Sequence, residues 1–311
     1  MSFQIKNFSI GEFNNDVNHS GDLDDKYLEW SEYRNGIKDF ISRTAGQDPE
    51  TKSITVFGAG ECNDLDLNFL ARTFNRVLLT DVDKKSIFEG IKRQGLNEGE
   101  KSKIEVEEVE YTGLSEIRFF EVFAKMVSEG SQIEKVIAHI EESIEKLDLK
   151  TGFNKELKDF DIVLSCPIYT QLVYTQAEVL FKILKQFGAY RTEEIDILLD
   201  KIDKVMPIIL SRYNDFLISM VKKEGIIVLL TDVVEIPKND VMIPQIKNRL
   251  SKSMFDEEEL EQFVETYGLN LAKIGYGDLL DKVVKQSTFW SLWPFDEYKE
   301  YLVLGIAGKR I

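Results

Sequence analysis

Helical stripes and short β-rich runs succeed one another along this chain. Trp30, Tyr33, Ile37, Phe40 and Ile41 recur at three- and four-residue spacing behind a polar, Asn/Asp-rich leader. That spacing predicts an amphipathic helix, with Asp24 or Asp25 as its cap and Asp48-Pro49 as its close. Ser53-Ile-Thr-Val-Phe57 and Arg76-Val-Leu-Leu-Thr-Asp81 carry the β-formers of buried strands. Ile117, Phe120, Phe123, Met126 and Val127, then Ile133, Val136, Ile137, Ile140 and Ile144, mark two further amphipathic helices inside 113–158. A compact crossover needs only about 10 to 12 residues, so this is an insertion. Ordinary packing on the sheet face is its plain reading, and a substrate lid or a homodimer contact the sharper one.

A second helical region runs from Gln171 to Lys223, broken near Phe187-Gly-Ala-Tyr190. Its stripe from Ile195 to Met220 runs up to Gly225, which reads as a helix stop, and Pro207 should kink or divide it. Met254-Phe-Asp-Glu-Glu-Glu-Leu260 reads as a capped helix start, with the charge run Asp256–Glu259 as a solvated face. Without an internal repeat or a low-complexity linker, the economical division is a leader and helix over 1–49. One domain then spans 50–311, with helical insertions at about 113–158 and 188–224.

The densest chemistry follows the first strand. Gly58 and Gly60 allow a tight turn and close ligand approach, and Asp81 lies 21 positions after Gly60 at the end of the second strand. An acid about 20 residues on is the spacing that meets ribose hydroxyls. A nicotinamide fingerprint needs a third small residue where Asn63 stands, beside a pyrophosphate. Glu61, Asp64 and Asp66 around that position would repel a pyrophosphate and suit a ligand with an ammonium and a sulfonium centre, which is to say S-adenosylmethionine.

From these residues onward the chain resembles the class I S-adenosylmethionine-dependent methyltransferases, from about Ile54 to its end. Val56-Phe-Gly-Ala-Gly-Glu-Cys62 matches the family's (D/E)xGxGxG motif at Gly58 and Gly60 and departs from it at Val56 and Cys62. The resemblance implies a three-layer α/β Rossmann-like fold: a mainly parallel seven-stranded sheet with an antiparallel last strand and helical insertions. It implies Ile104–Thr112 as the third strand, Phe160–Tyr169 as the fourth, Gly225–Asp232 as the fifth and Tyr301–Ala307 as the last. It implies cofactor contacts from Gly58, Ala59, Gly60, Asp81, Val82, Tyr111, Thr112 and Ser165, with Glu61 or Asp64 at the amino-acid end. Catalytic residues stay unassigned, because a methyl already activated by a sulfonium asks mainly for alignment and exclusion of water.

Cys166, Tyr169, Gln171 and Trp290 are the candidates for the substrate pocket. Cys166 as a small core residue and Tyr169 and Gln171 as helix packing are their bland readings. Ser165-Cys-Pro-Ile168 keeps two positions of the (D/N/S)PP(Y/F) pattern of amino-nitrogen methylation and lacks its aromatic. The cluster Phe289-Trp-Ser-Leu-Trp-Pro-Phe295 reads as a core plug before the last strand, or as the wall of a pocket for an apolar or cationic acceptor.

Composition narrows the partners. A formal charge of −16 and the lack of a basic patch argue against nucleic acid. Two cysteines are too few for a disulfide framework and fit a reducing cytoplasm. No apolar run approaches the roughly 18 residues of a membrane span. His19 and His139 stand apart from any metal-ligand pattern, so no metal is expected. The expected acceptor is a small molecule or a side chain. A nicotinamide-dependent oxidoreductase, a non-catalytic adenosyl-ligand protein and a donor relative moving an aminopropyl or aminocarboxypropyl group are the alternatives.

Overall fold

The structure is a computed structural model that describes residues 23–147, 159–186, 190–251 and 257–311. The leader with His19, the break at 187–189 and the cap at 254–256 lie outside the described residues. Seven strands form one sheet: β1 (Ser53–Phe57), β2 (Arg76–Asp81), β3 (Ile104–Glu108), β4 (Phe160–Ser165), β5 (Val221–Pro237), β6 (Val283–Trp293) and β7 (Lys299–Arg310). Their order is β3-β2-β1-β4-β5-β7-β6. The pairs from β3 across to β5 are parallel, and β7 is antiparallel to both of its neighbours.

Burial on both faces explains the near-continuous apolar runs of the central strands. Ile54, Val56, Leu79 and Ile162 pack on one side, under α2 (Ser31–Ala45), α3 (Leu67–Thr73) and α4 (Lys84–Arg93). Phe57, Leu78 and Val163 pack on the other, under α6 (Phe119–Ser128), α7 (Ile133–Lys146), α8 (Tyr174–Gln186) and α9 (Thr192–Met220). A third cluster lies where α10 (Met242–Ser251), α11 (Glu257–Tyr267) and α12 (Asn270–Leu280) cover β5, β6 and β7. The two remaining helices are α1 (Leu23–Glu29) and the single turn α5 (Glu98–Lys101). No described helix is long and apolar enough to cross a membrane.

Register levels the strand ends that matter. Phe57 pairs with Thr80 on one side and Ser165 on the other, so the residues after β1, β2 and β4 emerge at one edge. Cys62 and Cys166 both lie there, in the same buried cluster, as adjacency of the first and fourth strands requires.

The structure departs from the sequence reading at five places. The first helix breaks at Trp30, separating α1 from α2. β3 ends at Glu108, so Glu110, Tyr111 and Thr112 belong to the following loop. α9 is not divided at Pro207, because the packing of a long, buried helix outweighs both the lost bond to the Asp203 carbonyl and the clash of the proline ring with it. Gly225 stops no helix, because α9 ends at Met220 and passes directly into β5. The aromatic cluster packs into the core, but through a strand, β6, that the sequence reading did not assign. Its alternation sends Phe289 and Trp293 to the α2 face and Trp290 and Leu292 to the α11–α12 face.

Gly225 has a different task. A Cβ there would meet the Asp161 carbonyl oxygen at 2.7 Å and Val221 at 2.6 Å. Gly225→Ala should therefore lower stability by about 1–3 kcal/mol, as an overpacked site does, read as a fall in the urea midpoint at unchanged slope.

Candidate cofactor and acceptor site

The turn after β1 is built from three left-handed residues. Gly58, Gly60 and Cys62 have φ of 74°, 47° and 55°. Cys62 thus keeps a conformation that a glycine would adopt freely, and is held in it by complete burial. Asp81 ties this turn to β2. Its Oδ2 accepts from the Gly60 amide at 2.9 Å and its Oδ1 from the Asp83 amide at 2.9 Å. Tyr111 closes the other side, its hydroxyl accepting from the Gly58 amide at 2.8 Å and lying 3.1 Å from Thr80 Oγ1.

A pocket of about 40 Å³ opens over this turn. Gly58, Asp81, Val82, Tyr111 and Gln171 line it, so it gathers five of the fourteen residues expected at the site. Glu110, Phe120, Ile168, Leu172 and Gln176 complete its walls. Phe120 carried no sequence signal beyond helical periodicity, and Leu172 carried none. Gly60 has nothing within 4 Å of the position a Cβ would take, so backbone there is open to a ligand.

Other expected residues are placed differently. Ser165 is buried and does not line the cleft, its hydroxyl lying 2.9 Å from that of Tyr213 on α9, because alternation along β4 points position 165 to that face. Tyr169 is a core residue: its hydroxyl donates to Asn214 Oδ1 at 2.8 Å, and its ring fills the space over Gly275. Thr112 is turned back on its own loop, donating from N and Oγ1 to Glu110. Ala59 is buried within the turn, its amide donating to the Thr80 carbonyl. Glu61 accepts from Asn63 Nδ2 at 3.0 Å, and Asp66 caps α3 through the Phe69 amide. Trp290 lies on the α11–α12 face and shares no cavity with the glycine turn.

Sequence reading missed a buried polar group beside the turn. Arg34 on α2 donates to the Asn63 carbonyl at 2.7 Å and the Tyr27 carbonyl at 2.8 Å, anchoring the helix to the glycine loop. Tyr33 is fully buried and stacks on Trp293 at 5.6 Å, yet its hydroxyl has no hydrogen-bond partner among the described residues. Asp232, paired across β5 and β7 with Val303, is also buried, and its Oδ1 has no partner among them. Burial, then the charges of Asp64, Cys166 and Asp232, raise the Tyr33 hydroxyl well above its ordinary range. Burial pushes Asp64 and Asp81 up to about 6 and Asp232 up to about 7. Cys166 sits among them as a buried thiol, itself pushed up by burial and by Asp64. The available signal was an acid ending an apolar run, Ile226 to Asp232, and a tyrosine in an otherwise apolar stripe.

The strand order decides the fold. Dinucleotide-binding sheets run 3-2-1-4-5-6, whereas here an antiparallel β7 is inserted between β5 and β6. This is the class I methyltransferase fold. No family model matches the chain, and no curated protein sequence does. Among solved structures it is similar to the N-methyltransferase NodS from Bradyrhizobium japonicum WM9 in complex with S-adenosyl-L-homocysteine. Identity there is 8% over 97% of this chain and 99% of that one, with a TM-score of 0.44. It is similar to magnesium protoporphyrin IX methyltransferase from Synechocystis PCC 6803 with the same ligand bound, at 12% identity over 96% and 93% of the two chains and a TM-score of 0.42. An O-methyltransferase family protein from Burkholderia thailandensis gives 12% identity over all of this chain and 64% of that one, with a TM-score of 0.42.

The raised carboxyls have a direct consequence for stability. A carboxyl whose folded pKa lies above its unfolded value near 4 stabilises the fold below that value and loses the contribution as pH rises through the folded pKa. For Asp232 that window runs from about pH 4 to pH 7. Asp232→Asn should therefore raise stability by about 1–3 kcal/mol at pH 8 and change it little at pH 4, measured by urea denaturation at both pH values.

Proposed function

We propose that this chain is an S-adenosylmethionine-dependent methyltransferase whose acceptor is a small molecule or a side chain. The observation that carries the reading is the Asp81 carboxylate on the pocket wall, fixed against the left-handed Gly60 and level with the open edge of β1. Each Asp81 oxygen accepts one backbone hydrogen bond and has a further lone pair for ribose hydroxyls. Val82 and Tyr111 would flank adenine, and Glu61 and Asp64 supply negative charge for the amino-acid end. S-adenosylmethionine supplies a methyl group already activated by its sulfonium. The donor set suits such a cation. Free space is the tighter constraint: about 40 Å³ is far below the roughly 300 Å³ of a small-molecule site, so Phe120, Ile168 and Leu172 must move aside on binding.

No base is assigned on the acceptor side, because Tyr33 and Asp232 are buried and neither lines the cleft. One domain over 50–311 with helical insertions, a cytoplasmic setting and a homodimer belong to the same proposal. Ligand binding without turnover is the second reading, favoured by the small cleft. Bound cofactor with no methyl transfer across a broad acceptor panel would select it.

Calorimetric titration with S-adenosylmethionine, S-adenosylhomocysteine and NAD tests the first reading. S-adenosylmethionine should bind more tightly than NAD, and Asp81→Ala should weaken it by about 1.5–3 kcal/mol, as for a charged hydrogen-bond partner. Asp81→Asn keeps an acceptor on the glycine turn and separates loss of charge from loss of the turn. Unchanged affinity in both variants, or preference for NAD, removes the assignment. Because a cationic ligand favours ionised carboxylates, its affinity should rise with pH through about 6, where Asp64 and Asp81 titrate. A flat profile from pH 5 to pH 8 would contradict that part of the reading.

A further inference from the structure

A second cavity lies away from the glycine turn. It measures about 430 Å³, stands between α11, α12 and the β6–β7 pair, and shares no lining residue with the cofactor cleft. Its floor is apolar. Leu304 and Ile306 of β7 face it together with Trp290 of β6 and Val264 and Leu280 of the helices. Register explains the floor, since Trp290 pairs with Leu304 and Thr288 with Ile306, which puts all four on one face.

One wall is acidic. Glu257, Glu258, Glu261 and Glu265 of α11 line it, and Lys285 is the cation among the lining residues. Glu257, Glu261 and Glu265 follow one another at four-residue spacing, an arrangement of like charges that costs an isolated helix a few tenths of a kcal/mol per pair. Lys285 binds Glu257 at 3.0 Å and Lys273 approaches Glu265 at 4.0 Å, while no ion pair among the described residues reaches Glu261. Trp290 adds an aromatic surface, and its buried indole N–H has no acceptor among the described residues.

The geometry points to a second binding site here, for an organic cation with an aromatic or alkyl body. The volume falls in the range of small-molecule sites, about 300–1,000 Å³. The body lies on Trp290, Leu304 and Ile306, and the ammonium faces Glu261. An anion of the same shape is rejected by the glutamate wall, and a neutral analogue gains the apolar contacts alone. The site is independent of the cofactor cleft and stands whether or not the chain transfers methyl groups.

Phenylbutylamine, phenylbutanol and phenylbutyrate, of one shape and three charges, test the site when titrated against the full chain by calorimetry and tryptophan fluorescence. The amine should bind saturably, about tenfold more tightly than the alcohol, a difference of about 1.4 kcal/mol, and the carboxylate should not bind. Glu261→Gln, at an exposed position, should bring the amine close to the alcohol and leave the alcohol unchanged. Trp290→Phe should abolish the fluorescence change and keep calorimetric binding. Saturating S-adenosylhomocysteine should leave the amine isotherm unaltered, which separates this cavity from the cleft. Equal binding of amine and alcohol, amine binding indifferent to Glu261→Gln, displacement by S-adenosylhomocysteine, or no saturable binding would each overturn the site.

Discussion

Two strand ends and one loop are held together by the Asp81 carboxylate. Its oxygens take the amides of Gly60 and Asp83, fixing the left-handed turn after β1 against the start of α4. Asp83 in turn caps α4 through the Lys85 and Ser86 amides, so one acid orders the turn and the next orders the helix. The cleft exists because this arrangement leaves Gly60 open and sets Asp81 beside Val82 on the pocket wall. Tyr111 braces it from the loop after β3 through the Gly58 amide. The same carboxylate therefore holds the frame and faces the pocket, which limits how far the turn can move without losing both.

Burying acids at this edge is unfavourable for an apo protein and makes sense with a cationic ligand. Asp64, Asp81 and Asp232 are each shifted upward by burial, and Arg34 lies close enough to Asp64 to offset part of its shift. Tyr33 and Asp232 each leave a buried polar atom without a partner among the described residues, a cost of about 1–3 kcal/mol apiece that the fold does not recover internally. Around them stands an aromatic shell: Trp30 lies edge-on to Trp293 at 5.0 Å, and Trp293 lies edge-on to Phe295 at 4.9 Å. The apolar shell keeps the acids weakly solvated, and that is what brings Asp232 near neutrality.

Much of the frame was legible along the chain because its signals are local. The runs at Ser53–Phe57 and Arg76–Asp81 are short, β-rich and bounded by turn residues, and both became central strands. The stripe through Tyr33, Ile37, Phe40 and Ile41 became the buried face of α2. Where the sequence misled, a local rule lost to packing. Gly225 reads as a stop because glycine ends helices, but close approach of the Asp161 carbonyl requires it within β5. Pro207 reads as a kink or a division, and the helix is not divided there, because the core contacts of a 29-residue helix outweigh one lost hydrogen bond and the ring clash. The aromatic run from Phe289 reads as one plug, because a run so rich in rings hides the alternation that divides it between two faces.

The sequence by itself determined the α/β architecture, the glycine turn and the acid that serves it, since each depends on neighbours within a few dozen residues. It also determined an acidic surround suited to a positively charged ligand, because the identity of the side chains near a turn fixes their charge. Only the tertiary structure decided which residues share a pocket. Ser165 and Tyr169 lie at the end of the right strand and still point to α9 and α12, whereas Tyr33 and Asp232, far apart in the chain, come close enough for the Asp232 charge to act on the Tyr33 hydroxyl. Which face a strand residue takes, and which helix covers it, depend on sheet order and register, and those are set by contacts between segments far apart in sequence.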